Sequence, residues 1–206
     1  MNWLTRIQIS AKAAYEAKIV DSYAWHKKLW ECFPDMPDAK RDFLTRVDVM
    51  EGSYQAWILS KKEPVRPAWC PPEGFAVKQI SPEFLNNKKF AFDIHVNPVK
   101  SEPRRSETGE LLRGKRKTIT SYDELQNWLV SKGKIGGFKV NPGKLEIVPM
   151  SENYFTRRGR SGFHKNIRFR GIMEITDQER FIETYQSGIG AGKGFHFGML
   201  LLAPVR

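Results

Sequence analysis

Cysteine is scarce in this chain. Cys32 and Cys70 are the two present in 206 residues. They make no metal or redox motif, so a disulfide scaffold or a cysteine zinc site is not expected. Histidine is equally sparse. The four (His26, His95, His164 and His196) show no ligand spacing, and with no other cofactor motif the expectation is a protein without metal or cofactor. Long apolar runs are missing too. The longest, around Met199 to Val205, is far short of the roughly 20 residues that span a bilayer. The N-terminus has no signal-peptide core, which gives an expectation of a cytoplasmic protein with no membrane partner. Hydrophobic residues still make up 40% of the chain, enough to build a core.

Acid is lacking in the second half. The net charge is +11, but 14 Lys+Arg face 12 Asp+Glu in residues 1–95, against 20 facing 11 in residues 96–206. Two runs carry much of the excess. One is "RGKRK" at 113–117, with Arg113, Lys115, Arg116 and Lys117. The other is "YFTRRGRSGFHKNIRFR" at 154–170, which includes Arg157, Arg158, Arg160 and Lys165. The second is acid-free and interleaves Tyr154, Phe155, Phe163 and Phe169 with its cations. A solvated surface hairpin would account for the charge alone. Rings among cations point instead to a surface that tracks the phosphates of a nucleic acid.

Glycine is concentrated near the end, in "SGIGAGKGFHFGMLLLAPV" at 187–205. A P-loop needs G-x-x-x-x-G-K-[ST], but Ser187 stands at the first glycine position and Gly194 follows Lys193. The order also fails, because "TDQERFIETYQS" reads as a helix before the glycines and "FHFGMLLLAPV" as a strand after them. A dinucleotide fingerprint would need an acidic residue further on, and the chain stops at Arg206. "KGFHFGML" matches four of eight positions of the RNP1 pattern, but it comes after the second helix rather than on a central strand.

The second half reads β-α-β-β-α-β. The elements are "KFAFDIHVNPV", "TSYDELQNWLVSKG" ending at Gly133, "KLEIVPMSENYF", "FHKNIRFRGIMEI", a helix from Thr176 with Glu179 as capping box, and the final strand holding His196. The first half repeats the pattern loosely. It has "NWLTRIQIS", a helix "KIVDSYAWHKKLWECF" stopped by Pro34, a hairpin around "EGS", a proline-broken stretch with Pro64, Pro67, Pro71 and Pro72, and "GFAVKQIS". The fold class expected is α+β: two tandem ferredoxin-like (RRM-like) halves, the N-terminal one less regular. The division is 1–88 and 89–206.

Within the first long helix, Tyr23 and His26 are three apart and share a face. Periodicity places His26 among Ile19, Tyr23, Leu29, Trp30 and Phe33, which leaves a core histidine as one reading. The other is a proton carrier at a cleft. An imidazole near its ordinary pKa suits RNA cleavage, in which the 2′-hydroxyl attacks its own phosphate without metal or protein nucleophile.

Together, "YAWHKKLWECFPD", "VNPVK", the basic "GKRK" loop, "GIMEITD" and "GIGAGKGFHFGMLLLAPV" resemble the CasE family of CRISPR repeat-RNA endoribonucleases, across essentially the whole chain. The resemblance implies two ferredoxin-like domains and metal-independent cleavage at the 3′ base of a repeat stem-loop, with a cyclic-phosphate product. It also implies retention of the guide RNA within Cascade, whose other subunits would be partners. It places the catalytic pair on His26 and Tyr23 and the stem-gripping hairpin on Arg157, Arg158 and Arg160. Lys193 in the glycine loop and the two basic runs would add RNA contacts, and Lys27 or Lys28 could stabilise the phosphorane. Departures from the family are Asp93 and His95, where basic residues are expected, and His196, in place of a smaller residue. The alternative from another class is a non-catalytic RNA-binding scaffold with two RRM-like halves.

Overall fold

The computed structural model describes residues 2–35, 41–157 and 160–205, without the side chains of Arg113, Lys115, Asn153, Arg157, Arg160 and Ser161. Alternation sets the first strand, β1 (Asn2–Ser10): Thr5, Ile7 and Ile9 are buried between the exposed Arg6 and Gln8. Ser10 then caps α1 (Ala11–Glu16) by accepting from the Ala13 N–H, and Asp21 caps α2 (Ser22–Trp30) through the Ala24 N–H at 2.7 Å. The single long helix expected over residues 18–33 is therefore corrected: it covers only Ser22–Trp30, and a separate short helix, α1, precedes it. Lys18, at φ +59°, leaves the helical region, and the Asp21 side chain starts a new helix.

β2 (Leu44–Met50) and β3 (Ser53–Ser60) form the expected hairpin, turned at Gly52 with φ +63°. After the prolines come β4 (Phe75–Ile80) and the short α3 (Pro82–Leu85). The antiparallel sheet order β2-β3-β1-β4 is the ferredoxin-like order, with the proline-rich segment in place of the second helix.

The second sheet starts with β5 (Lys89–Val96). A hairpin of β6 (Val99–Arg105) and β7 (Leu111–Thr118) precedes α4 (Tyr122–Gly136). The "GKRK" segment read as a loop is thus on a strand. Next come β8 (Phe138–Val140), β9 (Glu146–Arg157), β10 (Arg160–Ile175), α5 (Gln178–Ser187) and β11 (Leu200–Pro204). The order is β11-β5-β10-β8, with β9 also paired to β10, so β8 and β9 share one edge. The class is α+β, two ferredoxin-like halves.

Three expected boundaries shift. α4 passes Gly133 and runs to Gly136, where Gly137 (φ +76°) caps it; Gly133 is small because a Cβ there would sit 2.6 Å from the Phe138 carbonyl oxygen. Asp177, not Thr176, caps α5. His196 is not in a strand: it follows a 3₁₀ turn at Lys193–Phe195 with φ +70°, and β11 begins only at Leu200.

Two apolar clusters form the core. One joins Phe90, Phe92, Ile94, Phe169, Met173 and Phe181 beneath α4 and α5; the other packs Ile7, Ile9, Ile58 and Phe43 against Trp25 and Leu29 of α2. Each fully buried large side chain contributes about 1.5–3 kcal/mol.

Candidate active site and nucleic-acid interface

The site begins with the face α2 buries. Ser22, Trp25 and Leu29 form the buried stripe, and Trp25 packs on Tyr54 and Trp69 with ring centroids at 5.6 and 6.1 Å. His26 sits on the flank of that stripe, half-buried, outside the apolar clusters. Its ring lies between Tyr23 (centroids 6.3 Å apart, planes 22° apart) and the edge-on Trp30 at 6.5 Å. Trp30 is itself held against Phe43 at 4.9 Å. Tyr23 and His26 are thus brought together as the i, i+3 spacing requires. The ammonium of Lys27 is 5.2 Å from the Tyr23 ring centroid, whereas Lys28 is engaged by Glu31 at 2.9 Å.

Two distant segments close on α2. From β9, the Thr156 N–H donates to Asp21 Oδ2 at 3.4 Å. From the glycine loop, His196 Nε2 donates to the Ser22 carbonyl at 2.9 Å, and the Thr45 hydroxyl donates to Nδ1 at 2.8 Å. The carbonyl can only accept, so the tautomer is fixed as the neutral Nε2–H form. Burial pushes the His196 pKa down to about 4, outweighing the help of the Ser22 carbonyl, and His26 and Arg41 push the same way. His196 is therefore the core histidine of this region. The loop is fixed further by Arg41 donating to the Lys193 carbonyl and by a ring cluster in which Phe195 meets Phe155 at 4.4 Å and His164 at 4.7 Å.

The cations named from the sequence part company. Lys117 pairs with Glu102 at 3.1 Å and Lys165 with Glu152 at 2.6 Å. Arg116 and Lys193 line one pocket beside the glycine loop. Arg158 lies outside the described residues, as do the side chains of Arg113, Lys115, Arg157 and Arg160.

The acid-free run on β10 meets its acid from another strand. Asp93 of β5 accepts from Arg168 Nε at 3.0 Å and from Arg46 Nη1 at 2.9 Å, while Arg46, 2% exposed, also holds Asp48 at 2.8 Å. Burial alone would raise the Asp93 carboxyl, but the bonds and charges of Arg168 and Arg46 hold it well below the usual carboxylate range. His95, beside Asp48 at 3.7 Å, is pushed down by burial and by Arg46. This network lines a cleft of about 630 Å³ between the two sheets, with Trp25 and Trp57. Sequence reasoning registered Asp93 and His95 as departures but missed Arg46. The signal was there: Asp93 and His95 alternate with the buried Phe92 and Ile94, which put both polar residues on one sheet face.

Among the described residues, no helix is long and apolar enough to cross a membrane, and no group of three His, Cys, Asp or Glu is placed to hold a metal.

The chain can be set beside known proteins. The CRISPR system Cascade subunit CasE of Escherichia coli K12 is 28% identical over 205 residues, covering 93% of this chain and all of that protein. The CRISPR-associated endoribonuclease Cse3 of Thermus thermophilus is 25% identical, covering 98% and 100%. The structure of Thermus thermophilus Cse3 bound to an RNA representing a pre-cleavage complex shares the fold, with a TM-score of 0.75 at 24% identity over 98% of this chain and 99% of that one. The profile of the family described as CRISPR associated protein matches residues 2–204, nearly every residue from β1 through β11, and the chain belongs to that family.

Proposed function

We propose that this protein is an endoribonuclease that binds the stem-loop of CRISPR repeat RNA, cleaves at its 3′ base and keeps the product as a Cascade subunit in the cytoplasm. Relatives bearing the names Cascade subunit CasE and endoribonuclease Cse3 support the substrate class. In this reading residues 1–88 carry the catalytic helix, and residues 89–206 supply most of the cationic surface.

The observation that carries the chemistry is the placement of His26. It stands on the half-buried flank of α2, its ring 6.3 Å from that of Tyr23, where β9 and the glycine loop meet the helix. His26 takes the proton of the 2′-hydroxyl, the 2′-oxygen bonds to its own phosphorus, and the P–O5′ bond breaks. The 5′-oxygen leaves with a proton, returned by His26 or by Tyr23, and the other product ends in a 2′,3′-cyclic phosphate. Tyr23 and Trp30 flank the His26 ring on either side, with centroids at 6.3 and 6.5 Å. The Lys27 ammonium lies over the tyrosine ring, whereas Lys28 is paired with Glu31.

The test is incubation with a hairpin RNA from the neighbouring CRISPR repeat in excess EDTA. Cleavage leaving a cyclic phosphate is expected, and a 2′-deoxy nucleotide at the cleavage site should block the cut but not the binding. Tight hairpin binding with no cut under any condition would favour the RNA-binding scaffold instead.

A further inference from the structure

The pocket beside the glycine-rich loop brings together cations from three elements far apart in sequence: Arg116 on β7, Lys132 on α4 and Lys193 in the loop. It has a volume of about 450 Å³, and Thr184 and Ser187 place two hydroxyls on its lining. No acidic residue lines it. Elsewhere on this half the protein neutralises its lysines: Lys100 meets Glu124, Lys117 meets Glu102, Lys139 meets Glu174 and Lys165 meets Glu152. Among the described residues, Arg116, Lys132 and Lys193 have no such carboxylate. Burial lowers the Lys193 pKa, and the neighbouring Arg41 and Lys132 lower it further, so these like charges strain one another.

The wall between the cations is backbone and indole. Gly190, at φ +85°, runs so close to Trp128 that a Cβ would lie 3.1 Å from the indole, leaving backbone as the pocket wall. The same indole face holds the Lys132 ammonium 5.7 Å from its centroid, at the edge of the pocket. Uncompensated cations and hydroxyl donors around a glycine-walled hollow are the chemistry that receives a phosphate.

We infer that this pocket is a phosphate-binding site in which Arg116, Lys132 and Lys193 hold a backbone phosphate of the bound RNA. The inference rests on the RNA-binding reading above and adds Lys132, which no sequence motif marked. Because His196 ties the same loop to α2, a phosphate held here would also help fix the loop that braces the helix carrying His26.

The experiment measures binding by fluorescence anisotropy at several salt concentrations, with 2′-deoxy RNA to prevent cutting. Three RNAs are used: the repeat hairpin alone, the hairpin with its 5′ single-stranded flank, and the hairpin with its 3′ flank. Lys132→Ala and Arg116→Ala are each expected to flatten the log K against log salt slope by about 0.7–0.9, and the double variant by about 1.5. Lys134→Ala, on the same helix outside the pocket, should match the wild type. Loss on all three RNAs places a stem phosphate in the pocket, and loss on one flanked RNA places a flank phosphate there; either supports the site. Arg116 is an exposed strand residue, so its variant keeps the test decisive if Lys132→Ala fails to fold. Wild-type slopes in both single variants on all three RNAs would overturn this inference while leaving the RNA reading intact. A wild-type protein that binds none of the RNAs would overturn both.

Discussion

Acidification should destabilise this protein in part through His196, and removing that imidazole should remove a measurable part of the effect. The folded state keeps His196 neutral, with a pKa of about 4 against 6.5 for the ordinary group. A lowered histidine pKa means that the unfolded chain binds the proton first. The contribution is therefore complete above pH 6.5 and is lost progressively as the pH falls toward 4. At about 1.4 kcal/mol per pH unit, going from pH 7 to pH 5 costs about 2 kcal/mol at this residue. For a chain of this size that is a fall in Tm of about 4–8 °C. His95 and His164 are pushed the same way by burial, so the wild type will fall further than this. The comparison that isolates His196 is with His196→Gln, which cannot titrate. The variant should be less stable at pH 7 and should lose about 2 kcal/mol less between pH 7 and 5, by thermal or urea unfolding followed by circular dichroism. Parallel curves for the two proteins over that range would refute the assignment of a neutral, buried His196.

Asp93→Asn should destabilise the protein by about 2–3 kcal/mol in urea unfolding, because it leaves the buried Arg46 guanidinium short of a charged acceptor; an unchanged midpoint would mean that Asp48 alone suffices. Replacing Arg157, Arg158 and Arg160 together by alanine should weaken stem-loop binding and flatten its salt slope by about two to three, with cleavage surviving in part at saturating protein. An unaltered slope would make that segment a solvated turn. Tyr23→Phe should slow cleavage less than loss of His26 does, with hairpin affinity unchanged in a titration.

Elements with strong local signals were legible. Alternation placed β1 and the β2–β3 hairpin, and glycine and proline placed the turn at Gly52 and the missing second helix of the first half. The basic β6–β7 hairpin was not legible, because runs of cations mask the alternation that marks a strand. α4 ran past Gly133 since the glycine there answers to Phe138, a tertiary contact that no local pattern carries. The i, i+3 spacing brought Tyr23 and His26 together as read. Periodicity did not separate the two histidine environments, because what decides them is where β9 and the glycine loop land on α2. The role of Arg46 was not legible from its own strand, because Asp93, which it holds together with the neighbouring Asp48, is contributed by the other sheet.

The measurement that bears most directly on the account is the single-turnover cleavage of the repeat hairpin by His26→Ala, alongside its melting temperature and hairpin affinity. The rate should fall about 10²–10⁴-fold, the loss typical of a removed proton carrier, while melting and affinity stay at wild-type values. A rate equal to wild type, or a variant that fails to fold, would return His26 to the role of a packing residue and contradict the central claim.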